Sequence, residues 1–113
     1  MAQALGTKIF QQNITSANNG DIITPNRATE LTFSIEGTAT SIQVVFEAQS
    51  NGSGAFLPCF CYTLDSTPKV ATQTTTLNDS LWRIELSSLY SFRTRIISIS
   101  GGYANIIGTY SEI

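Results

Sequence analysis

The chain has 113 residues, 42% of them hydrophobic and only 12% charged, which is enough apolar material for one domain with one core. Its formal net charge is -2 and its six basic residues form no run, so the electrostatic footprint of a nucleic-acid-binding protein is missing. Neither a stretch of the roughly 18 apolar residues that a transmembrane helix needs nor a signal peptide is visible, so we expect a protein that is made in the cytoplasm and has no membrane partner.

Apolar residues alternate with polar ones over most of the chain, and this period of two is typical of half-buried strands. In chain order the candidate strands are TKIFQQNI, GDIIT, TELTFSIE, SIQVVFEAQ, AFLPCFCYT, TPKVATQTTT, LWRIEL, FRTRIISIS and YANIIGTYS. Turns rich in Gly, Asn and Ser, such as SNGSG and LNDS, separate them. About eight antiparallel strands and no substantial helix predict an all-β fold, a single β-sandwich of jelly-roll or Ig-like type over residues 1–113.

In two predicted strands the residue pattern indicates which side chains face the core. In LWRIEL the face with Trp82 and Ile84 is apolar, so we interpret Trp82 as a core residue. FRTRIISIS has no clean polar face, because Ile97 and Ile99 alternate in phase with the arginines, and we expect a central strand or a contacted outer face. Because proline cannot donate a backbone hydrogen bond to a neighbouring strand, we expect Pro58 at a sheet edge or in a bulge.

Both cysteines, Cys59 and Cys61, lie in one predicted strand, where residues i and i+2 share a face. At a rise of about 3.3 Å per residue their Cβ atoms would be about 6.5–7 Å apart, whereas a disulfide needs about 3.5–4.5 Å. A zinc site needs about four ligands, and the chain has no histidine. The sequence shows no cation or helix N-terminus that would activate a thiol, so we interpret both as reduced, small hydrophobic residues.

No catalytic constellation is visible. The chain contains no histidine, which removes most general bases and metal ligands. Its carboxylates are scattered singly, and we expect those at polar strand positions to be solvated: Glu36, Glu47 and Glu85. The only arginines close enough to suggest a local patch are Arg83, Arg93 and Arg95. We therefore predict no catalytic residue, no cofactor, no metal site and no enzymatic activity.

Two segments, VVFEAQSNGSGAFLPC and LWRIELSSLYSFRTRIISISGG, resemble small bacteriophage virion structural proteins of β-sandwich type. Phe46 and Glu47 match the family's FE pair, Phe56 replaces its Trp, and Arg93-Thr94-Arg95-Ile96 is similar to its VRVRIT strand. Ser88 departs from the usual Gly of the corner. The resemblance implies a non-enzymatic capsid decoration, head-fibre base, or collar or tail accessory protein. Such a protein self-associates and docks on the particle.

The expected partners are copies of the chain itself and a major capsid, neck or tail protein, and the expected location is the virion, after synthesis in the bacterial host cytoplasm. A weakly charged surface suits such association. Residues 1–10 are either an N-terminal arm on a neighbouring subunit or the first strand, and Ile97 and Ile99 are either contact or core residues. The candidate interface residues are Leu5, Ile9, Phe10, Ile97, Ile99, Tyr103 and Tyr110.

The alternative function is a carbohydrate- or receptor-binding module for host attachment. Such a module needs an exposed aromatic platform with nearby carboxylates or amides. The SNGSG and LNDS turns would have to lie beside an exposed Trp82 or Tyr103. Exposure of Trp82 therefore discriminates between the two functions.

Overall fold

A computed structural model of the chain describes residues 4–25 and 27–112, which contain eleven strands and no helix. No helix that could span a membrane occurs among these residues. The strands are β1 (Ala4–Ile14), β2 (Ile22–Ile23), β3 (Ala28–Gly37), β4 (Ser41–Gln49), β5 (Leu57–Pro58), β6 (Cys61–Thr63), β7 (Val70–Ala71), β8 (Gln73–Thr74), β9 (Leu81–Glu85), β10 (Ser91–Ser100) and β11 (Ala104–Glu112). They form two antiparallel sheets, which confirms the predicted single β-sandwich.

The six-stranded sheet has the order β1-β11-β3-β9-β6-β7. The five-stranded sheet has the order β2-β10-β4-β5, and β8 also pairs with β4. The long strands fall where the alternation predicts them. Two predicted strands are each divided between the sheets: AFLPCFCYT becomes β5 and β6, and TPKVATQTTT becomes β7 and β8. The chain therefore crosses the sandwich at two places that the sequence does not mark, so the nine candidate segments become eleven strands.

Aromatic side chains fill the space between the sheets. Phe33 contacts Phe10, Phe46 and Phe92, with ring centroids 5.5–6.4 Å apart. Trp82 packs on Phe46 at 5.0 Å and is only 5% exposed, so the core interpretation of Trp82 is confirmed. Tilted and edge-on ring pairs of this kind contribute about 0.5–1.5 kcal/mol each beyond the area they bury.

A bulge in β10 changes which of its residues face inwards. Ile96 pairs with Val44, but the next paired residue is Ser98, so Ile97 is the extra residue. Beyond the bulge Ile99 pairs with the buried Ile42 and packs against the core. The expectation that Ile97 and Ile99 share a face is therefore wrong, because one inserted residue shifts the alternation by one position.

Candidate functional site

The outer face of the six-stranded sheet carries exposed aliphatic side chains in one row. Strand register places Ile9 opposite Ile107, Ile107 opposite Ser34, and Ser34 opposite Leu81. Leu64 continues the row, because its N–H donates to the carbonyl of Leu81 at 3.0 Å. The four aliphatic residues, which we call the aliphatic row, are exposed by 44% (Ile9), 42% (Ile107), 50% (Leu81) and 40% (Leu64).

The alternation of each strand explains why the aliphatic row points outwards. The sequence neighbour of each member is buried in the sandwich: Phe10, Ile106, Trp82 and Thr63. Since successive side chains of a strand face opposite sides, the row cannot share that core. Exposed apolar side chains scattered singly are normal, whereas contiguous apolar patches are typical of interaction sites, so the aliphatic row is a candidate contact surface.

Ser34 lies between Ile107 and Leu81 of the aliphatic row, and its small side chain leaves a depression of about 320 Å³ there. Its hydroxyl donates to the Glu36 carboxylate at 2.6 Å. A second depression, of about 200 Å³, lies further along the same strand at Thr32 and Arg83. The two depressions share Thr32 and Thr109 as lining residues, and we call them together the trough; the aliphatic row crosses the first of them.

The rim of the trough is acidic. The outward side chains of β3 and β9 include Glu30, Glu36 and Glu85 but only one cation, Arg83. The Arg83 Nε donates to the Thr32 hydroxyl at 3.0 Å, which directs the guanidinium across the sheet. The face therefore offers aliphatic contacts in a setting with a net negative charge.

The five-stranded sheet has a buried ion-pair cluster on its outer side. Glu47 is only 5% exposed, and its Oε1 accepts from the Arg93 Nε at 2.9 Å and forms an ion pair with the Arg93 Nη2, also at 2.9 Å. Its Oε2 accepts from the Arg95 Nη2 at 3.0 Å. The ring of Phe56 stacks on the Arg93 guanidinium at 4.0 Å. We call these four residues the Glu47 cluster.

Two expectations are corrected by the Glu47 cluster. Glu47 is not solvated, because it is 5% exposed and its carboxylate is paired with two guanidiniums. Arg83 does not form a patch with Arg93 and Arg95, because it lies in β9 of the other sheet. Several residues that carry the phage resemblance meet here in space: Glu47 of the FE pair binds the two arginines of the RxR strand, and the stacking of Phe56 on Arg93 connects the loop before β5 to that strand.

The sequence-predicted interface residues do not form one surface. Leu5 and Ile9 lie in β1 on the outer face of the six-stranded sheet, whereas Phe10 is 2% exposed and belongs to the core. Ile97 is exposed at the bulge of the other sheet, Tyr103 is exposed before β11, and Ile99 and Tyr110 are half-buried against the core.

Residues 4–10 of the suggested arm are part of β1 in the chain's own sheet, which favours the first-strand interpretation, and residues 1–3 lie outside the described part. Sequence reasoning missed three members of the aliphatic row, Ile107, Leu81 and Leu64. The alternation in LWRIEL placed Leu81 on the polar face of its strand, and this was the available sequence signal that its side chain is exposed.

Comparison with known proteins places the chain in a phage context. The XepA family model matches residues 6–110. The SPBc2 prophage-derived protein YomS has a similar structure, with a TM-score of 0.91 and 19% identity over 99% of this chain and 96% of that one, which shows the shared fold. The PBSX exported protein XepA gives a TM-score of 0.91 and 27% identity over 99% of this chain, which spans only 39% of that longer chain. No curated protein sequence matches. Because the family model covers nearly the whole sequence, the protein belongs to the XepA family of phage-associated proteins.

Proposed function

We propose that the protein is a non-enzymatic structural component of a phage particle. In this proposal copies of the chain associate through the outer face of the six-stranded sheet, and the resulting assembly docks on a capsid, neck or tail protein. The aliphatic row is the observation that carries the proposal, because four exposed aliphatic side chains lined up across the sheet offer a partner an apolar contact surface. Membership of a phage-associated family supports the particle as the location.

The free energy gained by covering the aliphatic row follows from the exposed fractions of its four side chains. Full burial of a Leu or Ile side chain contributes about 1.5–3 kcal/mol. Since each row residue is still 40–50% exposed, covering one contributes about 1 kcal/mol, and covering all four about 4 kcal/mol. Association itself costs at least about 4 kcal/mol in lost translation and rotation. The row therefore needs additional contacts at the trough rim and the avidity of repeated, symmetric copies.

The alternative, a carbohydrate- or receptor-binding module, is less well supported. Its aromatic platform was expected to be Trp82, which lies in the core against Phe46. Tyr103 is exposed and its carbonyl accepts from the Thr38 N–H, next to the Gly37 that Asn78 of the LNDS turn hydrogen-bonds, but the SNGSG turn lies elsewhere, against Tyr90. A particle-docking protein needs no such platform.

The test is whether the protein is part of purified particles. Particles of the phage that encodes the chain are banded on a density gradient, and the protein is quantified by mass spectrometry against the major capsid protein. We expect a fixed ratio between the two. The double variant Leu81→Ser/Ile107→Ser should lower that ratio, because it removes half of the aliphatic row.

Leu57→Ser is the matched control, because Leu57 is an exposed leucine on the five-stranded sheet. It should leave the ratio unchanged. Recovery of the wild-type protein only in the particle-free fraction of the lysate would overturn the particle location. Equal particle occupancy of the wild type and the double variant would overturn the role of the row.

A further inference from the structure

One cation and one carboxylate lie at equal distances on opposite sides of the aliphatic row. The row crosses β3 at Ser34 and β9 at Leu81, which are register partners. Arg83 follows Leu81 by two residues on one side of the row, where it pairs with Thr32. Glu36 follows Ser34 by two residues on the other side, because β3 and β9 are antiparallel. At a rise of about 3.3 Å per residue, each charged residue lies about 6.5–7 Å from the row.

The carboxylate side of the row holds a second acidic residue. Asp79 belongs to the turn before β9, and it lines a depression of about 330 Å³ together with Glu36 and Asn78. Asn78 fixes that turn on the sheet, because its side chain accepts from the Gly37 N–H and donates to the Gly37 carbonyl. Two exposed carboxylates therefore stand beside the row, on the side opposite the arginine.

None of these three charges is neutralised within the described part of the chain. The ion pairs of residues 4–25 and 27–112 are those of the Glu47 cluster and one between Lys8 and Asp21. Arg83 donates through its Nε to a hydroxyl, and Glu36 accepts from one. A guanidinium is a planar donor that matches a carboxylate, so this face presents both halves of a charged contact without joining them.

We propose that two copies of the chain pack these faces on each other about a two-fold axis that runs along the aliphatic row. The axis lies in the plane of the contact, so it turns one copy over and exchanges the two sides of the row. Each row residue then lies opposite its own equivalent, and Arg83 of one copy lies opposite the side that carries Glu36 and Asp79 in the other. The strands of the two sheets stay aligned, as is common when sheets pack face to face. This inference rests on the proposed self-association and specifies its geometry.

Charge complementarity selects this arrangement. A packing that did not exchange the sides would place Arg83 over Arg83 and Glu36 over Glu36, and like charges placed opposite each other destabilise a contact. With the sides exchanged, every contact of a cation with the acidic side occurs twice in the dimer, because the interface is the same patch on both copies. These two contacts supply the rim interactions that the aliphatic row needs beyond its own burial.

The test uses two charge-reversal variants that should repair each other. A dimer of two Arg83→Glu chains has like charges at both contacts, and so has a dimer of two Glu36→Lys chains. In the mixed dimer one contact is native and the other has its two charges exchanged, so both attract. Fluorescently labelled Arg83→Glu is titrated with each unlabelled chain, and the complexes that contain the label are sized by sedimentation.

We expect Glu36→Lys to bind the labelled chain at a roughly tenfold lower concentration than the wild type does, because the wild type restores only one of the two contacts. The unlabelled wild type alone should reach twice the 12.2 kDa mass of one chain. The milder Arg83→Gln, which introduces no like charge, should bind the wild type with an affinity between those of the wild type and of Arg83→Glu.

Glu85→Lys is the matched control, because it makes the same charge change on the same face but on the Arg83 side of the row. It should bind the labelled chain no better than the wild type does. Equal binding by Glu36→Lys and Glu85→Lys, or a wild-type assembly other than two chains, would overturn the two-fold arrangement. If Leu81→Ser/Ile107→Ser still weakened association in that case, the self-association of the proposed function would stand without this geometry.

Discussion

Replacing Glu47 by glutamine removes the only carboxylate of the Glu47 cluster while keeping its size. In the native protein the carboxylate accepts hydrogen bonds from both Arg93 and Arg95. A glutamine has one acceptor oxygen, and its amide NH₂ would point at a guanidinium that also only donates. The variant therefore leaves two neighbouring positive charges without a counter-charge.

The expected cost follows from how far the pair is buried. Removing one partner of a fully buried pair costs about 3–5 kcal/mol, whereas exposed pairs contribute about 0–1 kcal/mol. The Arg93 side chain is 18% exposed and that of Arg95 is 35% exposed, so both guanidiniums regain part of their hydration. We expect Glu47→Gln to lower the free energy of unfolding by about 2–3 kcal/mol, which corresponds to a fall of roughly 8–12 °C in Tm for a domain of this size.

The assay is urea unfolding followed by the fluorescence of Trp82, the single tryptophan. Glu85→Gln is the matched control, because Glu85 is exposed on the other sheet, and it should change the free energy of unfolding by less than about 0.5 kcal/mol. A change for Glu47→Gln as small as that of the control would refute the reasoning that this carboxylate is buried and paired.

Three further predictions concern single residues. The fluorescence of native Trp82 should have a blue-shifted maximum that moves to the red on unfolding, and a red maximum in the native state would contradict its burial. Gly37→Ala should destabilise the protein by at least about 2 kcal/mol in urea titrations, because Gly37 has a φ of +150° and an added Cβ would clash with backbone, whereas Gly54→Ala should be nearly neutral. Phe56→Ala should cost about 1 kcal/mol or more, since it removes the ring that stacks on Arg93, and an unchanged unfolding midpoint would show that the stacking contributes nothing.

The alternation of side chains made the long strands predictable from the sequence. SIQVVFEAQ coincides with β4, and LWRIEL gives the buried Trp82 and Ile84 of β9. The failures occur where a local pattern has no information about the partner strand. The segment AFLPCFCYT has the pattern of one continuous strand, although it forms two short strands in different sheets. The bulge at Ile97 depends on the register of β10 with β4.

The aliphatic row could not be predicted, for a related reason. Its members come from β1, β11, β9 and the residue that follows β6, which are distant in sequence and become neighbours only through the strand order. The alternation shows that Leu81 faces away from Trp82, but it does not show that Ile107 lies across the sheet from it. The face that a side chain occupies can be inferred from its own strand. Which side chains line up across a sheet can be inferred only from the topology and register of the whole sheet.

The measurement that tests the central claim most directly is the mass of the purified protein by light scattering behind a sizing column, over a wide range of concentrations. We predict a defined multiple of the 12.2 kDa chain at high concentration. For the Leu81→Ser/Ile107→Ser variant we predict dissociation at roughly 30-fold higher concentration, as expected for a loss of about 2 kcal/mol. A mass of 12.2 kDa at every concentration, or identical dissociation of wild type and variant, would contradict self-association through the aliphatic row.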